Sequence, residues 1–245
     1  MGKGAGIDLY WLPLGAGGHS VRLNGKVLET VAASLQRRGR CDLYHSALQV
    51  LTPEGRFVIE QAPVWRQENE RGVVAEGSVG AQALGRLALF RYEVRCWRRG
   101  VIPDIHEAVA SPVHVSDDRD RARRLVELVP RVPTPVWGRD ELRAGEMWNS
   151  NSTISWLLAR SGLDVESIPV PHGGRAPGWH AGIVVARRLC DAQSASNDAQ
   201  LALIRNRVSN RHGNVERREH SNGTAGVGDN EVRNAMTRHE LGGIG

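Results

Sequence analysis

The chain has 245 residues, of which 40% are hydrophobic and 24% are charged, and its formal net charge is +5 at pH 7. This length is enough to bury the core of one large domain, and no apolar run approaches the roughly 18 to 20 residues of a membrane helix. The N-terminal sequence also lacks an apolar stretch of signal-peptide length. We therefore expect a cytoplasmic protein that does not contact a membrane.

The basic residues indicate an arginine-rich composition and not a nucleic-acid partner. Of the 32 Lys and Arg residues, only Lys3 and Lys26 are lysine, and no stretch combines high positive charge with interleaved aromatic side chains. Nucleic-acid interfaces concentrate their basic residues on one surface or segment. The sequence thus predicts no nucleic-acid partner.

The cysteines and most of the histidines lack the spacing of disulfide or metal sites. The three cysteines, an odd number, stand far apart in the sequence, which predicts free thiols. Four histidines are similarly dispersed, at His106, His114, His172 and His180. We predict no metal ion and no cofactor from these spacings.

The first half of the chain predicts antiparallel strands joined by tight turns. Alternating apolar residues indicate strands at 7–14, 42–51, 56–64 and 87–97. The second and third of these are joined by Thr-Pro-Glu-Gly, a typical turn sequence. Between the first two, the sequence predicts a glycine-rich loop, a hairpin at an Asn-Gly turn and a helix, at 15–19, 21–28 and 29–38.

The second half predicts two helices, a loop and a last strand. Acidic residues begin a helix at 117–129, and polar residues begin another at 152–161 that ends at Gly162. A glycine-rich loop at 173–179 leads to a short apolar strand at 181–186. Because strands and helices do not alternate regularly, the pattern favours the α+β class over a βαβ arrangement.

The C-terminal part of the chain differs in composition from the rest. All aromatic residues lie at or before Trp179, and residues 188–245 contain few large apolar side chains. Such a segment buries too little apolar surface to offset the entropy cost of ordering it. The expected organisation is one domain at residues 7–187 and a largely disordered tail at 188–245, with at most a short helix.

Polar residues at the start of the second predicted helix form a candidate site. Ser150 stands between Asn149 and Asn151, directly before the apolar face of the helix. Because the amides of a first helical turn stabilise a nearby anion, this position favours Ser150 as a nucleophile, with helix capping as the alternative role. His45, on a predicted strand, is a candidate general base, and a structural histidine is its alternative role.

These motifs together resemble a known superfamily. Tyr44-His45-Ser46 on a strand, followed by a hairpin and later by Asn149-Ser150-Asn151 at a helix start, is similar to the circularly permuted branch of the papain-like NlpC-type superfamily. That branch includes lecithin:retinol acyltransferase-like and desumoylating-peptidase-like proteins. The resemblance implies a papain-like fold with His45 as the catalytic histidine. Ser150 occupies the position of the catalytic cysteine, and a serine hydroxyl is far less acidic than a thiol.

A third catalytic residue is expected on the strand that pairs with the strand of His45. Glu60 and Gln61 are the candidates to orient the imidazole, and at most one of them qualifies because adjacent strand residues face opposite ways. We predict Glu60 for this role.

Four residues are predicted to bind the substrate or line the cleft. Asn149 and Asn151 are expected to help the backbone amides near Ser150 to bind an oxyanion. His19, in the glycine-rich loop, is expected at the wall of the cleft, and Trp179 at its rim, since aromatic residues are common in recognition loops.

Two functions follow from this site. The first is a hydrolase or acyltransferase that acts on an amide or ester bond of a peptide or acyl substrate, with Ser150 as nucleophile and His45 as base. The second is a catalytically inactive papain-like domain that binds a peptide or acyl ligand in the same cleft. Only the first requires Ser150 and His45 to lie within hydrogen-bond reach or a modest closing motion.

Overall fold

The computed structural model describes residues 4–14, 41–64, 72–87 and 90–223. These residues form an α+β fold with a seven-stranded sheet, which confirms the predicted α+β class. The strands are β1 Gly6–Pro13, β2 Asp42–Thr52, β3 Gly55–Pro63, β4 Val73–Ser78, β5 Arg91–Arg98, β6 Val113–Ser116 and β7 Gly174–Arg175. The predicted elements at 15–40 lie outside the described residues.

The sheet is antiparallel along its main path, in the order β4-β5-β3-β2-β1-β6. The short β7 lies off this path and pairs in parallel with the first two residues of β2. Three of the four predicted strands are confirmed as β1, β2 and β3, and the fourth corresponds to β5, which begins later than expected. β4 and β6 were not predicted, because their short sequences contain too few residues for a clear alternation.

Within the described ranges, three α-helices accompany the sheet, and short 3-10 turns join the elements. The helices are α1 Arg119–Leu128, α2 Ser150–Arg160 and α3 Trp179–Gly223, and the 3-10 turns are Gln82–Arg86, Ile105–Glu107 and Val129–Arg131. α1 begins at Asp118, whose side chain accepts hydrogen bonds from the backbone N–H groups of Asp120 (2.9 Å) and Arg121 (3.0 Å). This cap satisfies two of the donors that every helix start leaves unpaired.

The two sides of the sheet carry different apolar clusters. On one side, which we call the helix face, Tyr44, Leu48 and Val50 of β2 pack in the main core with residues of α1 and α2. On the other side, which we call the second face, Ala47 of β2 packs in a smaller cluster that includes Ile102. This division follows from the period of two along a strand, because successive side chains point to opposite faces.

The predicted strand at 181–186 is wrong, because these residues form the beginning of α3. Its apolar residues pack in the main core, and Gly182 permits close contact with α2, where a Cβ atom would meet the Ser152 carbonyl oxygen. A run of buried small and apolar residues six positions long does not separate a strand from one side of a helix.

The segment beyond this point was predicted to be largely disordered with at most a short helix, and the structure describes α3 as far as Gly223. A helix with its first turns packed against a core can extend through residues of adequate propensity, since propagation is easier than nucleation. Residues 224–245 lie outside the described residues. The chain divides into two units after Asp191, four residues beyond the predicted boundary. Within the described ranges, no helix offers an apolar stretch of the length that a membrane crossing requires.

Candidate functional site

The start of α2 is held by a reciprocal pair of side-chain caps. The Asn149 side-chain oxygen accepts hydrogen bonds from the backbone N–H groups of Asn151 (2.9 Å) and Ser152 (3.3 Å). In return, the Ser152 hydroxyl accepts a hydrogen bond from the Asn149 backbone N–H at 3.1 Å. This arrangement is a capping box, and it satisfies the second and third amides of the helix.

Asn151 connects α2 to the sheet and to the loop before α3. Its side-chain NH2 donates to the backbone oxygens of Tyr44 (2.9 Å) and Pro177 (2.9 Å), and its side-chain oxygen accepts from the Ser46 hydroxyl at 2.9 Å. The Asn149 NH2 also donates to the Pro177 oxygen, at 2.8 Å. The donors of both asparagines are therefore bound to protein oxygens, and the predicted role in an oxyanion site does not fit this geometry.

The loop that leads into α3 is held against the start of α2. The Ser152 hydroxyl donates to the Gly178 oxygen at 2.7 Å, and the Glu146 carboxylate accepts from the Gly178 N–H at 2.9 Å. Gly178 has a φ of +80°, and a side chain there would collide with the Asn149 side-chain oxygen. These contacts show that the polar residues around α2 fix the path of this loop.

Trp179, predicted at the rim of a cleft, is the half-buried first residue of α3. Its indole ring packs against Trp11 of β1 with the ring centroids 4.9 Å apart. Its backbone oxygen accepts a hydrogen bond from the Ser155 hydroxyl of α2 at 2.7 Å. Trp179 thus joins α3 to β1 and α2, and its position supports packing more directly than recognition.

Ser150 and Gln61 both keep unused hydrogen-bonding capacity. Ser150 is 4% exposed, and its hydroxyl has no hydrogen bond to any residue that the structure describes. Gln61 of β3 is 3% exposed and accepts a hydrogen bond from the Thr153 hydroxyl, while its side-chain NH2 has no partner. Ser150 lies one turn before Thr153 on the same side of α2, so both groups belong to one region of the helix face.

His45 lies on the second face of the sheet, away from α2. Its pairing partner in β1 is Leu12, which belongs to the smaller cluster of that face. The next residue, Ser46, points to the helix face and binds Asn151, and the register of β1 and β2 runs without a shift. The structure therefore does not bring His45 and Ser150 together, because alternation places the two neighbours His45 and Ser46 on opposite faces.

The chemistry around His45 is set by burial and by one carboxylate. Burial lowers the pKa of His45 to about 4, and the nearby charge of Asp104 opposes this change. The imidazole is consequently neutral at pH 7. Asp104, at the start of the 3-10 turn after β5, was not predicted to act on this histidine, because the two residues are far apart in the sequence.

Glu60, predicted to orient His45, is engaged in a buried ion pair. Its carboxylate accepts a hydrogen bond from Arg95 of β5 at 3.0 Å, and Arg95 also pairs with Glu93 at 2.8 Å. Arg95 is 3% exposed. Glu60 and His45 do share the second face, but the charge that acts on the His45 ring is that of Asp104. The predicted catalytic set is thus divided between the two faces, and His19 lies outside the described residues.

Sequence reasoning missed Ser46 and Thr153, which bind Asn151 and Gln61 across the helix face. The sequence contained a signal for Ser46. Tyr44, Leu48 and Val50 form the apolar series of β2, and the same series includes Ser46 and excludes His45. Comparison of the whole chain with protein-family models, with curated proteins and with solved structures finds no match.

Proposed function

We propose that this chain is a binding domain that recognises a carbonyl or carboxylate group of a peptide or acyl ligand at Ser150 and Gln61. The observation that carries this proposal is the unused hydrogen-bonding capacity of these two neighbouring side chains at the start of α2, of which the Gln61 NH2 is fully buried. A buried donor without a partner costs about 1–3 kcal/mol. A ligand that supplies an acceptor at this position regains part of that free energy.

The electrostatics of the helix start support the same ligand chemistry. Ser150 is the first residue of α2, where the partial positive charge of the helix dipole is concentrated. Asn149 satisfies the amides of Asn151 and Ser152, and the Ser150 hydroxyl and the Gln61 NH2 remain available to bind an acceptor. An anionic or carbonyl oxygen complements both.

The separation of Ser150 from His45 argues for binding in preference to hydrolysis. A serine hydroxyl needs an adjacent base to become a nucleophile at neutral pH. No imidazole or carboxylate of the described residues is hydrogen-bonded to Ser150. The papain-like relationship is part of this proposal. It is supported by the hydrogen bonds that join the first turn of α2 to β2 and β3.

A second candidate function, a Ser150-dependent hydrolase or acyltransferase, has one specific support. This is the unpartnered hydroxyl at the positive end of a buried helix, which suits a nucleophile as well as a binding group. The two candidate functions differ in whether the Ser150 hydroxyl forms a covalent bond with the substrate. A reagent that reacts with nucleophilic serines therefore distinguishes them.

The test combines a serine-directed fluorophosphonate probe with a ligand screen. We expect no covalent labelling of the folded chain. We also expect saturable binding of acetylated peptides with a free carboxyl terminus or of short fatty acids, followed by nuclear magnetic resonance. Ser150→Ala and Gln61→Leu should each weaken the binding tenfold or more, which corresponds to about 1.4 kcal/mol.

The matched control is Ser161→Ala, because Ser161 is equally buried in the last turn region of α2 and donates to the Leu157 oxygen at 2.7 Å. This variant should bind like the unmodified chain. Labelling that disappears in Ser150→Ala would favour the hydrolase. Binding that is unchanged in both site variants would reject the recognition role of this region.

A further inference from the structure

The turn after β5 carries three side chains that converge on one point. Asp104, His106 and Glu107 each offer a ligand atom, and these atoms all lie within 4.8 Å of one another. They come from four consecutive residues at the 3-10 turn Ile105–Glu107. This group lies on the second face of the sheet and shares no residue with the region around Ser150.

The backbone of the turn is anchored to the core on both sides of the group. Ile102 is fully buried in the cluster of the second face, and Ile105 and Ala108 pack against the same cluster. The backbone N–H of Val109 donates to the Trp11 oxygen of β1 at 2.9 Å. The three ligand-bearing side chains thus project from a segment whose backbone position is fixed by packing and by pairing.

The conformation of Asp104 brings its carboxylate to the same side as the other two groups. Asp104 has a φ of +55°, in the left-handed region, and its backbone oxygen accepts a hydrogen bond from the Glu107 N–H at 2.8 Å. Asparagine and aspartate adopt this conformation more readily than other non-glycine residues. Replacement of Asp104 by Asn therefore removes the charge while it keeps the turn.

We propose that Asp104, His106 and Glu107 form a binding site for a divalent transition-metal ion of the zinc type. One imidazole nitrogen and two carboxylate oxygens are a ligand set that zinc accepts in proteins, at distances of roughly 2.0 to 2.2 Å. Three atoms that each lie at such a distance from one ion are separated by about 3 to 3.5 Å in tetrahedral geometry. The separations within 4.8 Å need only side-chain rotation to reach that value.

A second imidazole lies on the same face of the sheet as this group. His45 of β2 faces the same side of the sheet, lies near enough to respond to the charge of Asp104, and has no hydrogen bond to the described residues. The ligand atoms that lie within 4.8 Å of one another are those of Asp104, His106 and Glu107, and the proposal rests on these three residues. Nitrogen ligands favour zinc over magnesium or calcium, which prefer sets made of oxygen alone.

The test measures zinc affinity on the full chain without an affinity tag, since a polyhistidine tag would bind the ion. Cys190 is exposed, so all proteins carry Cys190→Ser to remove a competing soft ligand. Isothermal titration of the chelator-treated chain with zinc is expected to show one saturable site. His106→Ala and Asp104→Asn should each weaken the affinity by about tenfold or more, because even indirect partners of a metal site have effects of 10- to 100-fold.

The matched control is His172→Ala, because His172 is also exposed but lies in a different loop. It should leave the affinity unchanged, and an excess of magnesium should not displace zinc. A second measurement follows the ring resonances of His106 by nuclear magnetic resonance, which should shift on zinc addition. Equal zinc affinity in all variants, equal loss in His172→Ala, or His106 resonances that do not respond would each overturn the proposal.

Discussion

The two faces of the sheet bury polar side chains in different ways. On the helix face, Ser46, Asn149 and Asn151 are neutral and satisfy one another and the backbone through direct hydrogen bonds. On the second face, Glu60 and Arg95 are charged and are buried as an ion pair. The first arrangement fixes the path of a loop and a helix start, whereas the second places charge inside the protein, where each partner depends on the other.

The difference shows that adjacent residues of a sequence motif can lie on opposite faces of the sheet. His45 and Ser46 are adjacent, yet Ser46 belongs to the neutral network and His45 to the charged side. A function inferred from the whole Tyr44-His45-Ser46 motif therefore combines side chains that the strand places on opposite faces. Substitutions on each face test this separation, and the largest effect is expected where a charge loses its partner.

Arg95→Met should destabilise the chain most strongly. The substitution leaves the carboxylates of Glu60 and Glu93 without their shared cation in a buried position. Breaking a buried ion pair in this way costs about 3–5 kcal/mol. Urea unfolding followed by circular dichroism measures the change in the free energy of unfolding.

The control for this prediction is the double variant Glu60→Gln with Arg95→Met. Removal of one of the two carboxylates that lose their bond to Arg95 should recover part of the stability that the single variant loses. If Arg95→Met alone costs less than about 1 kcal/mol, the size of an exposed ion pair, the second face is not a buried charged region in solution.

Asn151→Leu should lower the free energy of unfolding slightly less, by about 3 kcal/mol, because it breaks a network of neutral hydrogen-bonding groups. The Ser46 hydroxyl and the backbone oxygens of Tyr44 and Pro177 lose their shared partner, and leucine cannot replace any of these hydrogen bonds. The loss should not depend on pH between 5 and 8, since no member of the network titrates in that range. Urea unfolding at several pH values checks both statements, and a pH-dependent loss would contradict them.

Much of the fold could be predicted from the sequence, and the facing of the site residues was the point where prediction failed. The turn before Gly55 and the apolar alternation of β2 and β3 determined these strands, and the acidic residues before Arg119 determined α1. The segment 181–186 was assigned to a strand because its contact with α2 through Gly182 is a tertiary feature that no local pattern contains. The electrostatic effect of Asp104 on His45 likewise depends on the tertiary arrangement of residues far apart in the sequence.

The pH dependence of the free energy of unfolding should also distinguish the second face, which carries His45, from the helix face. The pKa of His45 is about 4 in the folded chain and about 6.5 when unfolded, so between these values the unfolded chain binds more protons. Stability therefore rises with pH through this window, and acidification from pH 7 to pH 4 should cost at most about 3 kcal/mol through this residue. His45→Gln should lose this part of the pH dependence when unfolding is measured in the presence of a metal chelator.

His114 provides a control of opposite sign. Its hydrogen bond to the Asp8 carboxylate, at 2.8 Å, raises the pKa of this exposed histidine. The stability that this pair contributes is present below the unfolded pKa of about 6.5 and is lost as the pH rises through the folded pKa. His114→Gln should consequently change the slope of stability against pH in the direction opposite to that of His45→Gln. Changes of the same sign in both variants would reject the assignment of His45 to a buried, neutral state.

The smallest predicted effect is the most direct test of the two faces. Ser46→Ala removes one hydrogen bond to Asn151 and should cost about 1 kcal/mol. In a double-mutant cycle with Asn151→Leu, Ser46→Ala should show an interaction free energy of similar size, because the two residues share that bond. His45→Gln, only one position away, should be additive with Asn151→Leu to within about 0.5 kcal/mol. If His45 couples to Asn151 as strongly as Ser46 does, the two neighbours act on the same face, and the catalytic pairing of His45 with Ser150 regains its geometric basis.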